Sequence, residues 1–171
     1  MIDLILMRHG IATDRDAPEV TDDDARALTD KGRKQVKQIA AGLKRSGCVP
    51  DWVVTSPLVR AAETAELAAA VLRPDTPASS LIATCKALKP GGSPEELLVF
   101  LERQPSTTRV LLVGHEPDLG ALAARMIGAG RSAGLAFKKG GCCLIRFDGE
   151  PRMAQGTLIW WMTPKLLRAI G

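Results

Sequence analysis

Three short, mostly apolar runs punctuate this chain, and each is cut off by a turn carrying a reactive or cationic side chain. Ile2–Met7 runs straight into Arg8, His9 and Gly10. Trp52–Thr55 ends at Ser56 and Pro57, with Arg60 just beyond, and Val110–Val113 ends at Gly114, His115 and Glu116. Apolar runs of this length bounded by turn formers read as buried strands. Between them lie longer stretches whose apolar residues keep helical spacing. One holds Val36, Ile39, Ala40 and Leu43, the next Leu58, Ala61, Ala62, Ala65, Ala69 and Leu72, and the last Leu119, Leu122, Ala123, Met126 and Ile127. Strand-then-helix alternation requires crossover connections, and these build a parallel sheet with helices on both faces. In such sheets ligands bind at the carboxyl ends of the strands. The chain's two histidines, His9 and His115, both fall there.

The remaining elements follow from local signals. Thr29 is an expected N-cap and Gly47 an expected helix stop. Ser56 as N-cap and Pro57 at the first helical position would open the second helix. Arg60 then sits in the first turns, where a cation opposes the positive end of the helix dipole. Solvation or a pairing with Glu63 would offset that cost, and an anion at the same helix end would make Arg60 useful. Residues 73–108 are the least regular, with a short strand expected near Leu81–Thr84 and a helix from Pro94 to Arg103. Cys142–Phe147 and Thr157–Met162 read as two further strands joined by turn-rich residues 148–156, with a short helix after Pro164. The expected architecture is a single domain over residues 1–171. It is an α/β, three-layer α/β/α sandwich with a mostly parallel central sheet and antiparallel pairing near the C-terminus.

Composition narrows the function classes. Of 171 residues, 46% are hydrophobic and 25% charged, an ordinary globular balance. No apolar stretch reaches the length of a membrane span and no secretory leader precedes the first strand, so a cytoplasmic protein with no membrane partner is expected. Cys48, Cys85, Cys142 and Cys143 lack the spacing of a zinc site or a disulfide framework, which suits a reducing compartment. Residues 14–24 hold six acids (Asp14, Asp16, Glu19, Asp22, Asp23 and Asp24) against Arg15 alone. The rest of the chain is therefore more basic than the net charge of +4 indicates, which suits an anionic ligand. Scattered basic residues with three Phe and three Trp offer no stacking platform for nucleic acid. The loop over residues 11–28 reads either as a solvated connection or as a lid that brings an acid near His9.

Two histidines and two arginines at adjacent strand ends make an anion site, and a phosphoryl dianion fits it, because Arg offers planar paired donors to phosphate oxygens. A metal site would need a third ligand such as Asp14 or Glu116, and the arginines would repel the cation. No cysteine sits at a strand end beside the histidines, and no Walker-type loop is present.

The residues Arg8-His9-Gly10, Ser56-Pro57-Leu58 with Arg60-Ala61 and Thr64-Ala65, and Gly114-His115-Glu116, in this order and spacing, resemble the histidine phosphatase superfamily, which includes the phosphoglycerate mutases. The small size, Leu28-Thr29 with Gly32, and the ending Trp161-Met162-Thr163-Pro164 look most like the SixA-type phosphohistidine phosphatases. The resemblance implies that His9 is a nucleophile that forms a phosphohistidine intermediate. It implies that Arg8, Arg60 and His115 hold the phosphoryl oxygens and that no metal or cofactor is needed. The physics agrees: the nucleophilic imidazole must be neutral, and Arg8 and Arg60 oppose its protonation. Many relatives supply a glutamate as general acid from the region after the second motif, and residues 73–94 here hold only Asp75. The resemblance to the acid-phosphatase branch makes Glu116 a candidate general acid, alongside Asp14 or Asp16. A phosphoramidate depends less on such an acid, because its leaving imidazole can be protonated before cleavage. Little chain lies between the second and third motifs to cover the site, which suits a phosphorylated histidine phosphotransfer protein as substrate and phosphate ion as product. Lys138 and Lys139 read as solvated turn residues, or as a dock for an acidic partner. A monomer is expected. The competing readings are a phosphomonoesterase for a small metabolite and a non-catalytic phosphate-binding adaptor.

Overall fold

A computed structural model describes residues 1–18, 20–103, 108–130 and 134–171. Glu19 of the acidic loop and residues 104–107 of the irregular segment lie outside the described residues. The elements run β1 (Ile2–Arg8), α1 (Asp30–Arg45), β2 (Trp52–Thr55), α2 (Val59–Leu72), α3 (Ala78–Leu81), β3 (Ile82–Thr84), α4 (Pro94–Leu101), β4 (Arg109–Gly114), α5 (Asp118–Met126), β5 (Cys142–Phe147), β6 (Thr157–Met162) and α6 (Pro164–Ile170). They form one six-stranded sheet in the order β3-β2-β4-β1-β5-β6. The pairs β1–β4, β2–β4 and β2–β3 are parallel, and β1–β5 and β5–β6 antiparallel.

β1 is apolar almost throughout because it is buried on both faces. Ile5 and Met7 point into a core shared with Val36, Ile39 and Leu43 of α1, Ala61 and Ala65 of α2, and Leu167 of α6. Leu4 and Leu6 point the other way, onto Leu97 of α4 and Leu119, Leu122 and Met126 of α5. The side-chain period of two thus splits one strand between two cores. Each fully buried Leu or Ile contributes about 1.5–3 kcal/mol relative to exposure. The three-layer sandwich expected from the sequence is what forms.

Local signals set most boundaries. Thr29 caps α1, its Oγ1 accepting from the Gly32 amide at 3.0 Å. Gly47 follows the end of α1 at φ +70°, a left-handed turn that costs glycine little. A Cβ on Gly32 would lie 2.0 Å from the Ile11 carbonyl oxygen, so glycine here lets the loop after β1 lie directly on the helix. Two expectations need correction. The helix expected to end at Arg103 stops at Leu101, and α2 does not begin at Pro57 under a Ser56 cap. It begins at Val59, with an extended Leu58 at the cap position and no side-chain cap, and the Ser56 hydroxyl lies 2.9 Å from His115 Nε2.

Sheet register decides what meets at the carboxyl edge. Arg8 pairs with Gly114, so His9 and His115, the next residue on each strand, emerge side by side. On the far side of β4, Thr55 pairs with Val113, and the Ser56 amide donates to the Val113 carbonyl at 3.0 Å. The antiparallel β5 starts at this same edge, where the Gly140 amide donates to the Arg8 and His9 carbonyls, each at 3.1 Å. All four cysteines are buried free thiols. Among the described residues no helix is long and apolar enough to cross a membrane.

Candidate active site

His9 is 5% exposed, and its Nδ1 lies 2.7 Å from the Gly10 carbonyl oxygen. A carbonyl only accepts, so in the neutral ring Nδ1 carries the hydrogen and Nε2 the lone pair. Burial drives the His9 pKa down to about 3, against the raising effect of the Gly10 carbonyl and with help from His115, Arg60 and Arg8. The turn is held from below: the Gly10 amide donates to Thr64 Oγ1 at 3.0 Å, and that hydroxyl donates to the Arg60 carbonyl at 2.6 Å. Thr64 thereby ties the His9 turn to the first turn of α2.

Arg60 is buried at 2% exposure. It is not paired with Glu63, the helix neighbour that could have offset its charge. Glu63 instead accepts from the Leu28 amide at 2.6 Å and from Arg33 at 2.8 Å. Arg60 donates to Asp23, from Nη1 to the backbone oxygen at 2.7 Å and from Nη2 to Oδ2 at 3.1 Å. The same carboxylate accepts from Arg15 Nε and Arg26 Nε, both at 2.9 Å. Partial burial pushes the Asp23 carboxyl up, but Arg15, Arg60 and Arg26 together outweigh it and hold it below the usual aspartate range. The acidic loop is therefore more than a solvated connection: one of its acids is bound to the site arginine. Asp14 and Asp16 are exposed.

Arg8 donates from Nη1 to the Phe137 carbonyl at 2.7 Å. The Phe137 amide donates to Glu116 Oε1 at 2.5 Å, and its ring packs on Trp161 with centroids 4.0 Å apart. The carboxylate of Glu116 thus holds the segment that holds Arg8. Lys138 and Lys139 are exposed and follow Phe137 at the sheet edge.

His115 is 3% exposed, with its ring centroid 5.1 Å from that of His9. Its Nε2 lies 2.9 Å from Ser56 Oγ. Burial first, then the charge of Arg60, lowers its pKa to about 4. Both imidazoles are accordingly neutral near pH 7.

Four buried side-chain polar atoms among the described residues lack a hydrogen-bond partner: Arg8 Nε, Arg60 Nε, Arg109 Nε and His115 Nδ1. Three of the four belong to this cluster. Buried polar atoms without partners are costly, so three in one place, two of them arginine donors, mark a position built to receive a polar ligand. Among the described residues no group of three His, Cys, Asp or Glu side chains is arranged to hold a metal ion.

The sequence model of the histidine phosphatase superfamily (branch 1) matches residues 4–80. An uncharacterized protein of Picosynechococcus sp. is 37% identical over 159 residues, 91% of each chain. This chain belongs to the histidine phosphatase superfamily. The matched span contains Arg8, His9 and Arg60, and the β1–β4 register brings His115 to them. A histidine phosphatase of similar size, the protein histidine phosphatase SixA complexed with tungstate, superposes with a TM-score of 0.81 at 26% identity, covering 97% of this chain and 99% of that one. The alpha-ribazole phosphatase of Shigella flexneri shares the fold, with a TM-score of 0.72 at 18% identity over 95% of this chain and 97% of that one.

Sequence reasoning missed the roles of Ser56 and Asp23. Ser56 beside proline has the signature of a helix cap. Asp23 is one of six acids in a short loop, and nothing local distinguishes it from its neighbours.

Proposed function

We propose that this histidine phosphatase hydrolyses phosphohistidine on a phosphotransfer protein. The observation that carries the chemistry is the neutral Nε2 of His9 set in the cluster of the unpartnered Arg8 Nε, Arg60 Nε and His115 Nδ1. In the first step a bond forms between His9 Nε2 and phosphorus while the substrate's P–N bond breaks, and the leaving imidazole departs carrying a proton. In the second, water adds to phosphorus, the bond to His9 Nε2 breaks, and phosphate leaves with the water proton passing to solvent. Arg8, Arg60 and His115 donate to the equatorial oxygens in both steps. Positioning and electrostatics supply most of the catalysis in phosphoryl transfer. Turnover needs no metal or cofactor. A protonated imidazole is a good enough leaving group that Glu116, engaged by the Phe137 amide, acts chiefly by placing Arg8.

The protein-borne substrate is supported by the end-to-end likeness to SixA and by the modest cover between α2 and β4, which among the described residues consists of α3, β3, one helical turn at Lys86–Leu88 and α4. A second reading, a phosphomonoesterase for a small metabolite, is favoured by an apolar pocket of about 420 Å³ that shares Gly114 and His115 with the site and is walled by Leu88, Leu97, Leu119 and Leu122. Side-by-side turnover of a phosphohistidine protein and a panel of phosphate monoesters separates the two. The proposal expects efficient release from the protein, and hydrolysis of an ester with none of the protein would overturn it. Trapping the intermediate should give an acid-labile, alkali-stable adduct that His9→Ala abolishes. A non-catalytic phosphate-binding adaptor would show neither.

A further inference from the structure

We infer that Ser56 is a positioning residue that fixes the tautomer of His115, so that His115 presents Nδ1–H, not a lone pair, to the phosphoryl group. Ser56 is fully buried at 0% exposure. Its Oγ has one hydrogen and two lone pairs. The Leu58 amide donates to that oxygen at 3.3 Å, which uses one lone pair. His115 Nε2 lies 2.9 Å away on the other side. Two arrangements are open. If Nε2–H donated to Ser56, the serine hydrogen would have no acceptor in a dry interior, and Nδ1 would present a lone pair. That lone pair would face the oxygens of any bound phosphoryl group and repel them. If the Ser56 hydroxyl donates to Nε2, its oxygen is used on both sides and Nδ1 carries the hydrogen. The partnerless Nδ1 then becomes a third donor beside Arg8 Nε and Arg60 Nε. Only the second arrangement leaves every buried group with a use.

His9 and His115 thereby hold the same tautomer for opposite ends. The Gly10 carbonyl takes the Nδ1 hydrogen of His9 and leaves Nε2 as a nucleophile. The Ser56 hydroxyl occupies Nε2 of His115 and leaves Nδ1–H as a donor. The different partner, an acceptor in one case and a donor in the other, is what divides the labour between two neutral imidazoles.

The inference rests on reading this pocket as a phosphoryl site, and its test does not depend on turnover. Nitrogen-resolved NMR of the isotope-labelled protein near neutral pH should show His115 protonated at Nδ1 and bare at Nε2. Ser56→Ala should abolish that preference and weaken binding of inorganic phosphate by about tenfold. Ser56→Thr, which keeps the hydroxyl, should retain both properties. Protonation at Nε2 in the parent protein overturns the inference even if Ser56→Ala fails to fold. An affinity for inorganic phosphate that Ser56→Ala leaves unchanged also overturns it. Absence of phosphohistidine turnover, with these results intact, would count against the proposed substrate and not against Ser56.

Discussion

Arg60 and Asp23 are joined end-on: Nη1 donates to the Asp23 backbone oxygen at 2.7 Å and Nη2 to its carboxylate at 3.1 Å. This contact uses the two terminal nitrogens and leaves Nε, the donor nearest the chain, without a partner. A residue 37 positions away in sequence therefore ties down the terminal nitrogens of the guanidinium. The geometry has a measurable consequence. Asp23 is 35% exposed, so its carboxylate contributes on the scale of a partly solvated pair, about 1 kcal/mol, and its backbone oxygen survives substitution. Asp23→Ala should lower kcat/KM by roughly tenfold or less, and Arg60→Ala by about a hundredfold or more. Steady-state kinetics on one substrate would compare them. Equal losses would mean that Asp23 does more than orient Arg60.

The two site histidines make stability depend on pH in a defined window. Their pKa values lie near 3 and 4 in the folded chain, against about 6.5 when unfolded. Between these limits the unfolded chain binds more protons, so stability rises with pH there. The contribution is complete above about pH 6.5 and is lost as the pH falls through the window. Asp3, held low by its hydrogen bond to Arg146, loses its contribution only below the ordinary aspartate value of 3.8. Urea midpoints at several pH values from 7 down to about 4.5 should fall steadily, and His115→Asn should flatten the slope. A flat profile in the parent protein would contradict the depressed pKa values.

Glu116 accepts a hydrogen bond from the Phe137 amide, and the Phe137 carbonyl accepts one from Arg8. Glu116→Gln keeps an acceptor oxygen and removes the ability to deliver a proton. It should retain turnover of a phosphohistidine protein within a few fold, while Glu116→Ala should lose more by releasing the segment that holds Arg8. Measured kcat values for the two variants decide the matter. A drop of about a hundredfold in Glu116→Gln would place the general acid on this residue.

Gly32 sits where a Cβ would lie 2.0 Å from the Ile11 carbonyl oxygen, and a backbone atom cannot swing aside as a side chain can. Gly32→Ala should cost about 2 kcal/mol or more, read as a lowered urea midpoint. Because Ile11 follows the His9-Gly10 turn, some activity should be lost with it. A neutral substitution would mean that α1 can shift at no cost.

Much of the site is legible in the amino-acid sequence, because its main groups follow buried strands. Arg8, His9 and His115 stand at the ends of apolar runs that read as strands, and Arg60 occupies the helix start after a third. The partners that aim these groups are not legible there. A serine before proline is the same local signal whether its hydroxyl caps a helix or meets an imidazole. An aspartate among six acids looks like its neighbours until the loop is laid against α2.

By itself, then, the sequence determined most of the strand and helix order, the helices on both faces of the sheet and the four basic groups of the candidate site, since periodicity and turn chemistry act over a few residues. The tertiary structure decided the rest. The pairing of Arg8 with Gly114 placed the two imidazoles side by side, the crossing of the acidic loop placed Asp23 on Arg60, and the turn after β2 gave Ser56 to His115. Those contacts join residues far apart in the chain, and hydrogen-bond geometry between them exists only once the sheet register is set.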